Sequence, residues 1–157
     1  MKKAILICAL VALSACSHTT EKAELKTKGV HHVGLAVYDL DTTFEFFIKA
    51  LNFKKVSERP KYPAIFVSDG HTLVTLWQVS DKNKAIRFSR QKNIGLHHLA
   101  LQVDSFEVLD QMYEKVKAWP GVKIQFAPEL VGDGPAKHTI FYEPGGIRLE
   151  LIHSSRK

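Results

Sequence analysis

Two stretches of this chain occur twice. His32-Val33-Gly34-Leu35-Ala36-Val37 matches His98-Leu99-Ala100-Leu101-Gln102-Val103 at an offset of 66, and each stretch follows a second histidine, His31 or His97. Phe66 to Leu76 (FVSDGHTLVTL) matches Phe141 to Leu151 (FYEPGGIRLEL) at an offset of 75. The offset grows between the two matches, which predicts a longer loop in the second copy. Glu129 to Pro135 is the place for it, with Gly132, Gly134 and Pro135 as breakers.

Each copy is predicted to run strand, helix, then three strands. In the first copy, Val30–Val37 alternates over a strand's length. Asp41 or Thr42 can cap a helix to about Leu51, with Phe44, Phe47, Ile48 and Leu51 on one face. Strands follow at Phe53–Ser57, Ala64–Ser68 and His71–Val79, the last two joined by Asp69-Gly70. In the second copy the strand is Leu96–Val103. Ser105 caps a helix to about Ala118, with Phe106, Leu109, Tyr113 and Val116 along its buried stripe. Strands then cover Val122–Phe126, Lys137–Tyr142 and Ile147–His153, the last pair joined by Pro144-Gly145-Gly146.

Strand parity sorts the polar residues. Side chains alternate between faces with a period of two. Val33, Leu35 and Val37 share one face of the first strand; His32, Gly34 and Ala36 share the other. The fifth strand repeats this, with Leu99, Leu101 and Val103 opposed to His98, Ala100 and Gln102. On the last strand Glu150 lies with Arg148 and Ile152, away from Leu149 and Leu151. Each histidine of interest therefore sits among small residues, on the face that a helix does not need.

The N-terminus carries a different signal. Lys2 and Lys3 precede an apolar run from Ala4 to Leu13, and Ser14-Ala15-Cys16 follows. A charged start, a short apolar stretch and small residues describe an export signal over 1–15. The run is too short to span a bilayer, which takes about 20 residues. A buried helix is the alternative, but the run shows no polar face. Leu13-Ser14-Ala15-Cys16 resembles the lipobox of bacterial lipoproteins, which implies acylation of Cys16 and anchoring to membrane lipid. With Ser17 after the cysteine, the resemblance further implies the periplasmic face of a Gram-negative outer membrane. Residues 16–28 then form a lipidated cysteine and flexible tether.

Composition agrees with that reading. The two cysteines, Cys8 and Cys16, fall in the removed segment and at the modified position, which leaves no thiol for catalysis or metal ligation in the mature domain. The net charge is +6, about +4 once Lys2 and Lys3 are removed. The basic residues are scattered, without the tract that nucleic-acid binders show.

The pieces HHVGLAVYDLD, GLHHLALQVD and FYEPGGIRLELI, in this order and at repeat spacing, resemble the vicinal oxygen chelate superfamily, which includes glyoxalase I, extradiol dioxygenases, fosfomycin-resistance enzymes and bleomycin-binding proteins. The resemblance covers 29–153, with modules at 29–79 and 95–153. It implies an α+β fold in which two βαβββ modules form a half-open, curved, eight-stranded mixed sheet around a cavity, helices outside. It also leaves two arrangements open, a cavity within one chain or one shared by a homodimer.

If the small-residue faces converge, His32, His98 and Glu150 meet. Two imidazoles and a carboxylate make a facial set with open positions, suited to divalent Fe, Mn, Zn, Ni or Co. Such a metal polarises a carbonyl or stabilises an enolate. The expected function is a glyoxalase-like metal-dependent enzyme, of lyase, isomerase or dioxygenase type, acting on a small molecule with vicinal oxygens. Glu150 and His138 are the candidate catalytic groups, His138 as acid or base. Trp77, Thr75, Tyr142 and Arg148 are candidate substrate contacts, and Arg87 and Arg90 lie in the linker near the cavity mouth. The plainer readings stay beside these. A strand histidine is commonly a hydrogen-bonded core residue, Glu150 can pair with Arg148, and Trp77 can be plain core. Part of the family has a Glu or Gln ligand on the fourth strand, where the repeat puts Thr75; Gln78 faces the other way. The alternative function is therefore a metal-free small-molecule binding or sequestering lipoprotein of the same fold.

Overall fold

A computed structural model describes residues 26–155. The expected signal segment, Cys16 and most of the tether lie outside the described residues. Eight strands and two helices follow in the order β1 (Val33–Val37), α1 (Leu40–Lys49), β2 (Lys54–Arg59), β3 (Ala64–Ser68), β4 (Leu73–Gln78), β5 (Leu99–Gln102), α2 (Phe106–Lys117), β6 (Lys123–Leu130), β7 (Lys137–Tyr142) and β8 (Arg148–His153). This is the α+β fold of two βαβββ modules. The strands form two mixed four-stranded sheets, ordered β1-β4-β3-β2 and β5-β8-β7-β6. In each, the first strand pairs in parallel with the last and the remaining pairs are antiparallel. Strands β1 and β5 are thus sheet edges, each beginning one residue after the His32 or His98 that was expected within it, and the eight strands are not one continuous ladder.

The helices start where a side chain can satisfy their first free N–H groups. Asp39 caps α1 by accepting from Thr42 N at 3.0 Å, two residues before the expected cap at Asp41. The Lys82 ammonium lies 2.5 Å from the same carboxylate. Lys82 is the largest of the causes that hold the Asp39 carboxyl down at about 2. Ser105 caps α2 as expected, accepting from Val108 N at 3.1 Å. The chain leaves α1 through Asn52, whose φ of 60° is in the left-handed region that Asn tolerates. The outer edge of the first sheet is mostly polar: every residue of β2 is exposed, and Lys54, Lys55, Glu58 and Arg59 discourage pairing with another strand. Strand β6 runs to Leu130, beyond its expected end, through two register shifts.

Alternation then sorts the faces. Leu35 and Val37 are buried while Gly34 and Ala36 are exposed; Leu99 and Leu101 are buried while Ala100 and Gln102 are exposed. Helix α1 lies on β3 and β4, and α2 on β6, β7 and β8. The core joins both modules through these helix-side faces. Phe46 of α1 is fully buried and meets Trp119 at 5.9 Å and Phe141 of β7 at 6.0 Å, ring to ring. Burying such a ring is worth roughly 1.5–3 kcal/mol, and edge-on packing adds to it. With the helix-side faces joined, the small-residue faces are turned away from the core.

Among the described residues, two polar contacts cross the same boundary, an exposed one from Lys115 Nζ to Asn52 Oδ1 at 2.9 Å and a buried one. Thr43 Oγ1 donates to Glu143 Oε2 at 3.1 Å, and both residues are buried. Glu143 also accepts from Gly145 N and Ile147 N, closing the turn between β7 and β8. Gly145 is required there, because a Cβ would lie 2.7 Å from Glu143 Oε1 and 2.8 Å from Thr43 Oγ1. Burial pushes the Glu143 carboxyl up, against the pull of these donors. A raised acid stabilises the fold fully below its ordinary value of 4.5, and that contribution is lost as pH rises through the higher folded value. Thr43→Val removes a buried inter-module donor. It is expected to cost about 1–2 kcal/mol, read as a lower urea midpoint at constant slope, with a larger deficit at neutral than at acid pH.

Candidate functional site

The second module brings three of the expected residues together. Glu150 is 7% exposed in the middle of β8, where a carboxylate must be paired or hydrogen-bonded. His98 Nε2 lies 2.9 Å from Glu150 Oε2, and His138 Nδ1 lies 2.6 Å from Glu150 Oε1. Neither Arg148 nor any lysine takes that role. The register explains it: Ala100 sits beside Glu150 on the parallel strand and Ile140 on the antiparallel one, so His98 and His138, each two residues away, reach in from the flanks.

Arg148, also buried, organises the other side of the imidazoles. Its Nε donates to Gln125 Oε1 at 2.9 Å, and its Nη1 lies 3.1 Å from His98 Nδ1 and 3.2 Å from His97 Nδ1. A guanidinium only donates, so His98 Nδ1 accepts and its Nε2 carries the proton given to Glu150. A proton thus lies between the nitrogen and oxygen lone pairs that a divalent cation would use. The donor set fits a metal in chemistry: one imidazole and one carboxylate converge on a solvent-accessible face, with His98 a third exposed at its side chain. They form part of a set. Among the described residues, no three His, Cys, Asp or Glu side chains are placed to hold a metal.

His32 stands apart from this group. It lies 2.9 Å from His31, Nδ1 to Nδ1, as His98 lies 3.0 Å from His97. It lines a cavity of about 490 Å³ with His31, Arg59, Tyr62, Phe66, Leu73, Thr75 and Trp77, a wall that includes neither His98 nor Glu150. Thr75 faces Gly34 in the register, as Glu150 faces Ala100, so it occupies the equivalent strand position. Its hydroxyl accepts from Trp77 Nε1 at 2.8 Å and lies 3.5 Å from Val33 O. Gly34 leaves room for this pair: a Cβ there would sit 3.3 Å from the hydroxyl and 3.6 Å from the indole nitrogen. Trp77 is partly exposed, not plain core.

The other candidates are placed as follows. Tyr142 pairs with Arg148 across β7 and β8 but lines a neighbouring cavity with Arg87 and Lys123. Arg87 stacks on Tyr38 at 4.5 Å. Gln78 holds the start of α1, accepting from Leu40 N and donating to Tyr38 O. Two residues of the site escaped sequence reasoning. Gln125 supports Arg148, and Glu129 lies 3.6 Å from His138 Nε2. The irregularities in β6 put Glu129 opposite His138, and no periodicity could show that. The only hint was Pro128, a residue that interior strands exclude.

His97 is held below its ordinary 6.5, first by desolvation and next by the Arg148 guanidinium and by His98. Arg148→Gln is therefore expected to move His97 part of the way back up, as seen by an NMR titration of the imidazole protons. An unchanged His97 midpoint would mean that the Arg148 guanidinium does not sit against it in solution.

Comparison with known proteins places this geometry. The model of the Glyoxalase/Bleomycin resistance protein/Dioxygenase superfamily matches residues 29–151. A 2-epi-5-epi-valiolone epimerase from Actinomyces sp is 27% identical over 146 residues, covering 79% of this chain and 78% of that protein. A glyoxylase/bleomycin resistance protein/dioxygenase domain from Frankia sp. EAN1pec superposes with a TM-score of 0.66 at 22% identity, covering 83% and 95% of the two chains. A mutant of the fosfomycin resistance protein FosX from Listeria monocytogenes, solved with Mn(II) and a dihydroxypropylphosphonic acid, superposes with a TM-score of 0.62 at 21% identity, covering 80% and 90%. With its two βαβββ modules matched almost end to end, the chain belongs to the glyoxalase/bleomycin resistance protein/dioxygenase superfamily.

Proposed function

We propose that the chain is a divalent-metal-dependent enzyme acting on a small molecule with vicinal oxygens, with His98 and Glu150 of one copy and His32 of a second copy as the metal ligands. The observation that carries this is the contact between His98 Nε2 and Glu150 Oε2 at 2.9 Å on a face open to solvent. The shared core supports the second copy, because it turns the His32 face and the Glu150 face away from one another's reach within one chain. Exposed apolar side chains on the linker and on β6 support it too: Ile94, Leu96, Phe126 and Leu130 suit an interface. Relatives fit the class, since one is an epimerase by name and another was solved with Mn(II). When bound, the metal would polarise a substrate carbonyl or stabilise a developing oxyanion. The chain's own residues do the rest. Arg148 holds the His98 ring at Nδ1 while the ring proton is on Nε2; with a cation at Nε2 the proton would move to Nδ1 and leave Arg148 with Gln125 and His97. His138 keeps its Nδ1 proton on Glu150 Oε1, within reach of a substrate held on that face.

Elemental analysis by mass spectrometry tests the ligand set. The full chain, loaded with each of Fe, Mn, Zn, Ni and Co in turn, is expected to keep about one ion per chain, and His98→Ala or Glu150→Ala to drop it below about a tenth. Co-expressed His32→Ala and Glu150→Ala chains are expected to recover about a quarter of the wild-type metal, since half the dimers are mixed and each holds one intact site. No recovery in the mixture would place the set within one chain. The second reading, a metal-free binding protein, is favoured by the Thr75 hydroxyl being committed to Trp77. It becomes the better one if no ion is retained by any form.

We further propose that the enzyme is held at a membrane surface by acylated Cys16. Intact-mass measurement on protein from bacterial membranes is expected to show a chain beginning at Cys16 and carrying acyl mass. A chain that begins at Met1, or that carries no such mass, removes the anchor from the proposal.

A further inference from the structure

The cavity on the first module is built of flat surfaces. Trp77 meets Tyr62 at 5.2 Å and Phe66 at 5.7 Å between ring centroids. The indole is pinned by its hydrogen bond to Thr75 Oγ1 and fits over Gly34, so its plane is set before any ligand arrives. Tyr62 comes from the hairpin between β2 and β3 and is 62% exposed, leaning over the indole like the second leaf of a book. The charge of the wall has one sign. Arg59 stacks on Phe66 with its guanidinium carbon 5.5 Å from the ring, and His31 and His32 lie beside it. The wall holds no carboxylate, and among the described residues no ion pair engages Arg59. A cavity of about 490 Å³ lies within the range of roughly 300–1,000 Å³ typical of small-molecule sites.

From this geometry we infer that the Tyr62–Phe66–Trp77 cavity recognises a planar aromatic or conjugated ring bearing an anionic group, with the ring stacked on Trp77 and the anion at Arg59. Aromatic faces favour a flat π-system over a puckered ring of the same size. An arginine fixed over an aromatic ring keeps its outward N–H groups free for a carboxylate. The inference names the substrate class of the site proposed above, and rests on that reading only for placing His32 in the same cavity. It assigns the two modules different work: the second holds the ligand carboxylate Glu150, and the first, with Thr75 at that position, holds the body of the substrate.

The test is calorimetric titration of the full chain stripped of metal with chelator, with three probes: 1-naphthoate, 1-naphthalenemethanol and cyclohexanecarboxylate. Naphthoate is expected to bind saturably, about tenfold or more tighter than either of the others. Arg59→Gln is expected to bring naphthoate down to the level of the neutral alcohol and to leave the alcohol unchanged. Tyr62→Ala, at an exposed hairpin position that the fold does not depend on, is expected to weaken both naphthyl probes equally. Trp77→Phe, which keeps a ring but loses the hydrogen bond to Thr75, is expected to weaken them further. Cyclohexanecarboxylate binding as tightly as naphthoate, indifference of naphthoate to Arg59→Gln, or no binding by naphthoate overturns the inference. Because no metal is present, this failure is distinct from failure of the metal site. Naphthoate binding to a chain that retains no ion would leave the inference standing and remove the enzyme.

Discussion

The packing of Phe46 against Trp119 and Phe141 decides what the rest of the molecule can do. It buries the helix-side faces of both modules in one core. A βαβββ unit has one apolar face and one face of small and polar residues, and a single unit cannot bury the first alone. Once the apolar faces have met through α1, the other two faces point outward. The histidine of each module is thereby presented to solvent or to a partner, not to its counterpart in the same chain. The Thr43–Glu143 bond crosses the same boundary. Its geometry tolerates no side chain at Gly145, so the relative placement of the modules is held by direction as well as by area.

On the outward face of the second module, burial forces the organisation of the site. A carboxylate in the centre of a sheet is costly unless its lone pairs are taken. Glu150 accepts a hydrogen bond from each of two imidazoles, and Arg148 in turn holds one of those imidazoles from behind. The chain therefore has an internally satisfied resting arrangement. A divalent cation on His98 Nε2 would move the ring proton to Nδ1, where Arg148 Nη1 now donates, so Arg148 would have to give up that contact. Protons compete with a cation for the imidazole and the carboxylate, which makes metal retention weaker as pH falls.

Much of this was legible in the residues. The repeat gave two modules, parity separated Leu35 and Val37 from Gly34 and Ala36, and Ser105 marked the start of α2. The α1 cap was misplaced because Asp39, Asp41 and Thr42 are all competent caps; a cation from the linker, Lys82, sits on the first. Glu129 and Gln125 were illegible because β6 is irregular, and a register shift moves side chains between faces without leaving a period behind. The convergence of the small-residue faces was a matter of how modules dock. Strand parity says which face a side chain is on. It says nothing about which two faces meet, and that depends on the aromatic and polar contacts that α1 makes with the second module.

Equivalent positions in the two modules have come to do different things. Glu150 and Thr75 occupy the same place in the repeat, each beside a small residue on the neighbouring parallel strand. Glu150 faces imidazoles and accepts from both. Thr75 faces an indole, and its hydroxyl is used up in fixing that indole. A carboxylate at 75 could also accept from Trp77, but it would bring a negative charge to a cavity whose wall carries none. A hydroxyl fixes the ring without repelling an anion. The fourth-strand position, read as a lost ligand from the sequence, is therefore better understood as an acceptor that keeps the first cavity flat-walled and positive.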